Sequence, residues 1–452
     1  MQNHTGDSPV TIPAQRVPIH DMLPPAPRRS RRYLLPILLV VLLGGVIAVP
    51  SDTTRRPIGT LAAAAGAHTA TATASPPTPY DLAHQALDRQ ASALLRGDRA
   101  GWLAAVDPRQ PALRKRYQDM YASLTALHVT RLEYHSSIET SSGDAITLGA
   151  EMAFCFDYTC PPYVTNPRSG PPRTAQQLTL KPVGDRYVIT KTARAQSQTD
   201  LQPLPWEAGD LLFVQGKRVT VAAPRALAKR LPEVLAVADK AAQTDDRIAR
   251  YMDNPQPRYR IFLATDQAWK TWYGGETAGY SVAYTIPLND AGSDVVLHMS
   301  DLTGDAQELK VVVQHELAHV ATLSNLQDST ELDRWLMEGV AEYAGWLPQH
   351  TRSNWNFPAT RAALRGSHPP RSMVQSPIKD NATGRAVDVF YGLGHFAVDC
   401  LVTKYGEART MTFVRLKLRT GDTLDVAARD AFGTSFTVVD KGCMAWMRNN
   451  AR

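Results

Sequence analysis

Two histidines and a glutamate in the pentapeptide HELAH, residues 315–319, have the types and spacing that metal chemistry needs. On a helix, residues four apart share a face, so His315 and His319 would present both imidazoles to one ion. Zinc prefers such nitrogen ligands, and a catalytic zinc site leaves one position open for water. Glu316 would then act as the general base that takes a proton from this water, rather than as a ligand. The pattern predicts a hydrolytic zinc centre.

A third ligand is predicted in the stretch RWLMEGVAEY, residues 334–343. Glu338 follows His319 after eighteen intervening residues, enough for one helix to end and a second to return antiparallel. Glu342 lies four residues further on the same helix face, where it would accept the outer N–H of a ligand histidine and select its tautomer. The rival interpretation is a charged amphipathic helical hairpin that binds no metal.

HELAH, the eighteen-residue spacing and WLMEG together resemble the signature of the gluzincins, the aminopeptidase-N-like zinc metallopeptidases. Those enzymes also carry a catalytic tyrosine in a Y-x-x-G motif that opens a later helix, and YGLG at Tyr391 is similar to it. The resemblance implies that the Tyr391 hydroxyl donates to the developing oxyanion. The alternative is that Tyr391 is an ordinary packing residue of a helix. His298 and His395 could line the cleft, but lone histidines are more often ordinary packing or surface residues, and we interpret them so.

The resemblance spans roughly residues 215–445 and is nearest to the shorter peptidase MA-like proteins. It implies an α+β, zincin-like domain over residues 201–452, with a small sheet, the HExxH helix and a helical C-terminal part. The expected cofactor is zinc, and the expected partner is a peptide or protein substrate. The G-x-M-E-N strand that holds a free amine in aminopeptidases is absent, and the strand read as its counterpart, SDVVLHMSDL, contains no glutamate. This favours an endopeptidase-like or very restricted activity over an exopeptidase.

Residues 80–200 predict a separate accessory α+β domain. Apolar residues at helical spacing come first, and three or four β-rich stretches follow: LHVTRLEYHSS, AITLGAEMAFCF, QQLTLKPV and DRYVITKTARA. This order is similar to the nuclear transport factor 2-like fold, and we interpret the domain as a spacer or interaction module. Beyond it, RVTVAA, YRIFLA and DVVLHMS read as strands, and a long helical stretch from Arg225 to Met252 contains a break at Pro232.

An uncharged apolar run of 18 residues, YLLPILLVVLLGGVIAVP at 33–50, is long enough to cross a bilayer as a helix. The cluster RRSRR precedes it, which favours a cytoplasmic N-terminus and an extracytoplasmic catalytic domain at the cell membrane. Residues 1–32 then read as a disordered cytoplasmic tail and residues 51–79 as an Ala/Thr/Pro linker. The alternative is a cleaved signal peptide.

The remaining features of composition concern charge and cysteine. The formal net charge of +6 comes in part from RRSRR, outside any folded domain, so no basic face for nucleic acid is predicted. The four cysteines suggest one disulfide in each domain, Cys155 with Cys160 and Cys400 with Cys443, and unpaired buried thiols are the alternative. The rival to an enzyme is a zinc-binding but catalytically silent membrane receptor or scaffold.

Overall fold

The computed structural model describes residues 76–156, 160–195, 199–207, 209–275, 281–303, 305–326, 333–349, 351–379 and 382–452. The tail predicted for residues 1–32, the membrane helix predicted for 33–50 and most of the linker predicted for 51–79 lie outside these ranges. The described part of the chain is α+β, as predicted.

The first unit, residues 79–194, consists of three helices followed by a four-stranded antiparallel sheet in the order β1-β2-β3-β4. Its elements are α1 (Pro79–Leu95), α2 (Arg99–Ala104), α3 (Pro111–Ala126), β1 (Val129–Ser142), β2 (Ala145–Phe156), β3 (Arg173–Val183) and β4 (Arg186–Arg194). The four strands fall on the four β-rich stretches of the sequence. The predicted strands of this unit are therefore confirmed.

The second unit, residues 211–450, begins with a five-stranded mixed sheet and ends in helices. The sheet elements and their connections are β5 (Leu211–Gln215), β6 (Val219–Pro224), α4 (Leu231–Tyr251), β7 (Tyr259–Ala264), α5 (Asp266–Trp269), β8 (Ala283–Pro287) and β9 (Ser293–His298). The helices that follow are α6 (Ala306–Leu323), α7 (Arg334–Trp346), α8 (Phe357–Arg365), α9 (Gly384–Tyr405), α10 (Glu407–Arg415), α11 (Leu424–Phe432) and α12 (Phe436–Asn450). Strand order is β5-β6-β7-β9-β8, with the edge strand β8 antiparallel to β9.

The break predicted at Pro232 lies at the start of a helix rather than within one. Residues Arg225–Arg230 form a 3₁₀ helix, and α4 then begins at Leu231 with Pro232 in its first turn. Proline is tolerated there, because the N–H that it lacks would have no intrahelical partner. The helical stretch predicted from Arg225 to Met252 is therefore present, with its break next to Pro232, and its first six residues are 3₁₀ rather than α-helical.

Both faces of the five-stranded sheet are covered, each by a different part of the chain. Successive side chains of a strand point to opposite faces, so Val295 and Leu297 of β9 pack with α4 and α6. Val296 of β9 points the other way and belongs to a core that continues into the first unit. A buried ion pair joins Arg260 Nε to Asp294 Oδ1 at 2.6 Å, and the Arg260 guanidinium lies over the Phe156 ring of β2. The two units therefore share one apolar core.

Two disulfides tie down neighbouring segments, one in each unit. Cys155 is bonded to Cys160, next to the end of β2, and Cys400 of α9 is bonded to Cys443 of α12. Both predicted pairings are confirmed. Within the described residues, α9 is also the one helix that is long and apolar enough to span a membrane, but most of it is buried among the other helices. We describe it as a core helix for that reason.

Candidate metal centre

Helix α6 places His315 and His319 on one face, and both side chains are buried. Their Nε2 atoms are 3.0 Å apart. The helix is covered on one side by the sheet and on the other by α7, so nearly every residue from Leu309 to Leu323 is buried. An imidazole pair in such surroundings is unusual unless it binds something, because buried polar groups require partners.

Helix α7 returns alongside α6 and brings Glu338 to the same point. Oε2 of Glu338 lies 3.4 Å from Nε2 of His315 and 3.4 Å from Nε2 of His319. Among the described residues, neither carboxylate oxygen of Glu338 has a hydrogen-bond partner, although the side chain is 1% exposed. One ligand atom from each of the three residues lies within 4.8 Å of the others.

The donor set and its spacing fit a zinc ion. Zinc binds nitrogen and oxygen ligands at about 2.0–2.1 Å in tetrahedral sites, which separates neighbouring ligand atoms by about 3.3 Å. The three separations between His315, His319 and Glu338 are 3.0, 3.4 and 3.4 Å. A structural zinc site would use four protein ligands, whereas the set found among the described residues has three. The cluster therefore matches the ligand number of a catalytic site.

The carboxylates and imidazoles of the cluster shift each other's pKa values. Burial lowers the pKa of His315, but the Glu338 and Glu342 carboxylates outweigh burial and raise it to about 10. Burial raises the pKa of Glu338, but His319 and His315 outweigh burial and lower it to about 2. For His319, burial is the largest effect and the pKa is lowered. The site thus favours an ionised Glu338 beside a positive charge.

Glu342 lies at the opposite nitrogen of the His315 ring from Glu338. Its Oε1 is 3.3 Å from Nδ1 of His315, while Nε2 of the same ring faces Glu338. Burial raises the pKa of Glu342, but its contacts with His315 outweigh burial and lower it. A carboxylate this close favours the proton on Nδ1 and leaves Nε2 as a metal ligand, although within the described residues Nδ1 makes no hydrogen bond.

Glu316 is fully buried and is not one of the three candidate metal ligands. Its Oε2 accepts a hydrogen bond of 2.7 Å from the Thr285 hydroxyl of β8, and within the described residues its Oε1 has no hydrogen-bond partner. Burial raises the pKa of Glu316 to about 7, against the opposing effects of His315 and Thr285. Thr285 thus holds Oε2 of Glu316, and Oε1 remains available to exchange a proton.

Thr285 was not singled out from the sequence, and it lies on a different strand from the one that the sequence comparison used. The comparison with the amine-holding strand used SDVVLHMSDL, which forms β9 inside the sheet between β7 and β8. The strand that contacts Glu316 is the edge strand β8, whose residues AYTIP include no acidic side chain. Strand order depends on pairings between distant segments, so no local pattern indicated which strand lies at the edge.

Tyr391 of α9 lies beside the cluster, with its ring centroid 6.2 Å from that of His315. The side chain is 2% exposed, so it also packs in the helical core, and the two interpretations of this residue are not exclusive. The structure therefore brings together all six residues predicted for the site, namely His315, Glu316, His319, Glu338, Glu342 and Tyr391.

His298 and His395 have different surroundings. His298 stacks on Trp269 and contacts the Asp266 and Asp301 carboxylates. His395 is 1% exposed, lies one turn after Tyr391 on α9, and contacts Asn354. The interpretation of His298 as an ordinary packing residue agrees with these contacts, whereas His395 belongs to a buried polar chain next to the centre.

No protein-family model matches the chain, and a search of curated proteins finds no match.

Proposed function

We propose that the chain is a zinc-dependent metallopeptidase of the gluzincin type, with a zincin-like catalytic domain over residues 201–452. The main support is the convergence of three buried ligand atoms from His315, His319 and Glu338, beside a glutamate that is not a ligand. The spacing of the three atoms and the resemblance of HELAH, WLMEG and YGLG to the gluzincin motifs support zinc in particular.

A bound zinc ion supplies a Lewis acid that polarises a carbonyl and acidifies water. Glu316 accepts the proton of the attacking water on Oε1, the oxygen that Thr285 does not engage. It then passes this proton to the leaving amine. The Tyr391 hydroxyl donates to the oxygen that becomes negative in the tetrahedral intermediate, and Glu342 keeps the His315 ring in the ligand orientation.

We propose internal rather than N-terminal cleavage of a peptide or protein substrate. An aminopeptidase needs an acidic group near the centre to hold the free amine of its substrate. The edge strand β8, which contacts Glu316, carries no such side chain. This supports an endopeptidase.

We also propose that the enzyme is anchored in the cell membrane by residues 33–50 and that its folded part is extracytoplasmic. The length of the apolar run and the arginines before it support an anchor with a cytoplasmic N-terminus. The two disulfides are consistent with an oxidising compartment. Under this proposal residues 51–79 are the linker and residues 80–200 the accessory domain.

The test compares the wild-type protein with Glu316→Gln, which keeps the shape of the side chain but removes the base. Both proteins should bind about one zinc ion, measured by elemental analysis after purification, and the wild type alone should cleave members of a peptide library. Chelation should abolish the wild-type cleavage, and added zinc should restore it. If both proteins bind zinc and neither cleaves peptides, the protein is a catalytically silent zinc-binding scaffold. If the wild type binds no zinc, both the peptidase and the zinc-binding scaffold are excluded.

A further inference from the structure

A buried polar chain continues outward from Glu342. Oε2 of Glu342 accepts a hydrogen bond of 2.9 Å from Nδ2 of Asn354, and the same Nδ2 lies 2.8 Å from Nδ1 of His395. The three side chains are 5%, 2% and 1% exposed, respectively. Since Oε1 of Glu342 faces His315, this chain connects a candidate ligand to two residues that the proposed mechanism does not use.

The hydrogen positions in this chain follow from the donors available. Oδ1 of Asn354 accepts a hydrogen bond of 2.7 Å from the backbone N–H of Asn356, which fixes the orientation of the amide. Nδ2 must then supply both of its hydrogens, one to Glu342 and one to His395. Nδ1 of His395 therefore accepts, and its ring is neutral with the proton on Nε2.

The three side chains of this buried polar chain come from segments that are distant in the sequence. Glu342 lies on α7 one turn after Glu338, Asn354 lies between α7 and α8, and His395 lies on α9 one turn after Tyr391. The contact thus links the helix of the third ligand to the helix of the tyrosine.

We propose that Asn354 and His395 are positioning residues of the metal centre. They hold Glu342 in the rotamer in which Oε1 faces Nδ1 of His315. Without the Asn354 donor, the buried Oε2 of Glu342 would lose a charge-assisted hydrogen bond, and the carboxylate would turn away from His315. Groups that orient metal ligands in this way typically change metal affinity by about 10–100-fold. This inference rests on the proposed zinc centre.

Two substitutions remove the contacts, and one keeps them. Asn354→Asp preserves shape but replaces both donors by an anion next to Glu342. His395→Leu removes the acceptor, whereas His395→Asn places an oxygen near the position of Nδ1. The matched control is Gln90→Glu in α1, where a buried amide that donates to the Trp102 carbonyl is likewise exchanged for a carboxyl.

The measurement is the zinc Kd of the whole folded protein by competition with a chromophoric chelator, together with the thermal midpoint of each metal-free protein. We expect the Kd to rise about tenfold or more for Asn354→Asp and His395→Leu, and to stay within about threefold of wild type for His395→Asn. Gln90→Glu should lower the thermal midpoint without changing the Kd.

Two results would overturn the proposal. One is a wild-type Kd for Asn354→Asp, and the other is an equal loss of affinity in His395→Asn and His395→Leu, which would indicate packing alone. If Asn354→Asp does not fold, the two His395 variants decide. A wild type that binds zinc but cleaves no peptide would reject the peptidase and leave this comparison valid, whereas a wild type that binds no zinc would reject both.

Discussion

Gly339 of α7 and Gly394 of α9 pack backbone against backbone. A Cβ atom on Gly339 would lie 2.7 Å from the carbonyl oxygen of Gly394, and a Cβ atom on Gly394 would lie 3.1 Å from Cα of Gly339. Glu338 immediately precedes the first glycine, and Tyr391 lies three residues before the second. The close crossing therefore brings the candidate third ligand and the tyrosine to the same centre.

We predict that Gly339→Ala destabilises the protein and weakens zinc binding. The added methyl group meets backbone atoms that have no rotamer to change, so the helices must separate, at a cost of about 1–3 kcal/mol. The thermal midpoint and the zinc Kd measure the two effects. The control is Gly442→Ala in α12, where the nearest atom to a new Cβ is the flexible Lys404 Nζ at 3.9 Å. This variant should be neutral or more stable, by up to about 1 kcal/mol. Equal stability of the two variants would contradict the crossing argument.

The hydrogen bond between Thr285 and Glu316 predicts a second effect, on catalysis by the proposed peptidase. Thr285→Val keeps the shape of the side chain but leaves Oε2 of Glu316 without its donor. Because a hydrogen bond to a charged group contributes about 1.5–3 kcal/mol, kcat/KM should fall roughly 10–100-fold at unchanged zinc content. Thr285→Ser keeps the hydroxyl and should retain most activity. The measurement is kcat/KM on a peptide identified from the library, and a fully active valine variant would remove Thr285 from the mechanism.

Asp245 of α4 predicts a dependence of stability on pH. The side chain is 0% exposed, and within the described residues neither of its carboxylate oxygens has a hydrogen-bond partner. Burial, with a smaller effect of Asp246, raises its pKa well above the ordinary value of 3.8. The folded state therefore keeps a proton on Asp245 that the unfolded state releases. The contribution of Asp245 to the free energy of unfolding falls as pH rises above about 4, by up to about 1.4 kcal/mol per pH unit.

Asp245→Asn removes this titration and keeps a neutral side chain of the same shape. Urea unfolding of both proteins at pH 5 and pH 7.5 measures the free energy of unfolding. The stability of the variant relative to wild type should increase between the two pH values. A difference that is the same at both would show that Asp245 ionises without cost in the folded protein.

The local patterns of the sequence predicted much of this molecule. Helical periodicity put His315 and His319 on one face, and the eighteen-residue separation from Glu338 predicted an antiparallel return that the structure contains. β-rich stretches located β1 to β4, and four cysteines in two local pairs suggested both disulfides. Such features depend on neighbours within a few turns or strands, so the order of residues is sufficient to indicate them.

The contacts that only the tertiary structure decided are those between distant segments. Thr285 reaches Glu316 across 31 positions and His395 reaches Asn354 across 41, and neither residue stands in a recognisable motif. The sequence motif contained Gly339 and Gly394 without indicating that they contact each other. Strand order, helix crossing and the buried polar chain arise from packing many side chains at once, and that packing is what sets the orientation of the candidate ligands.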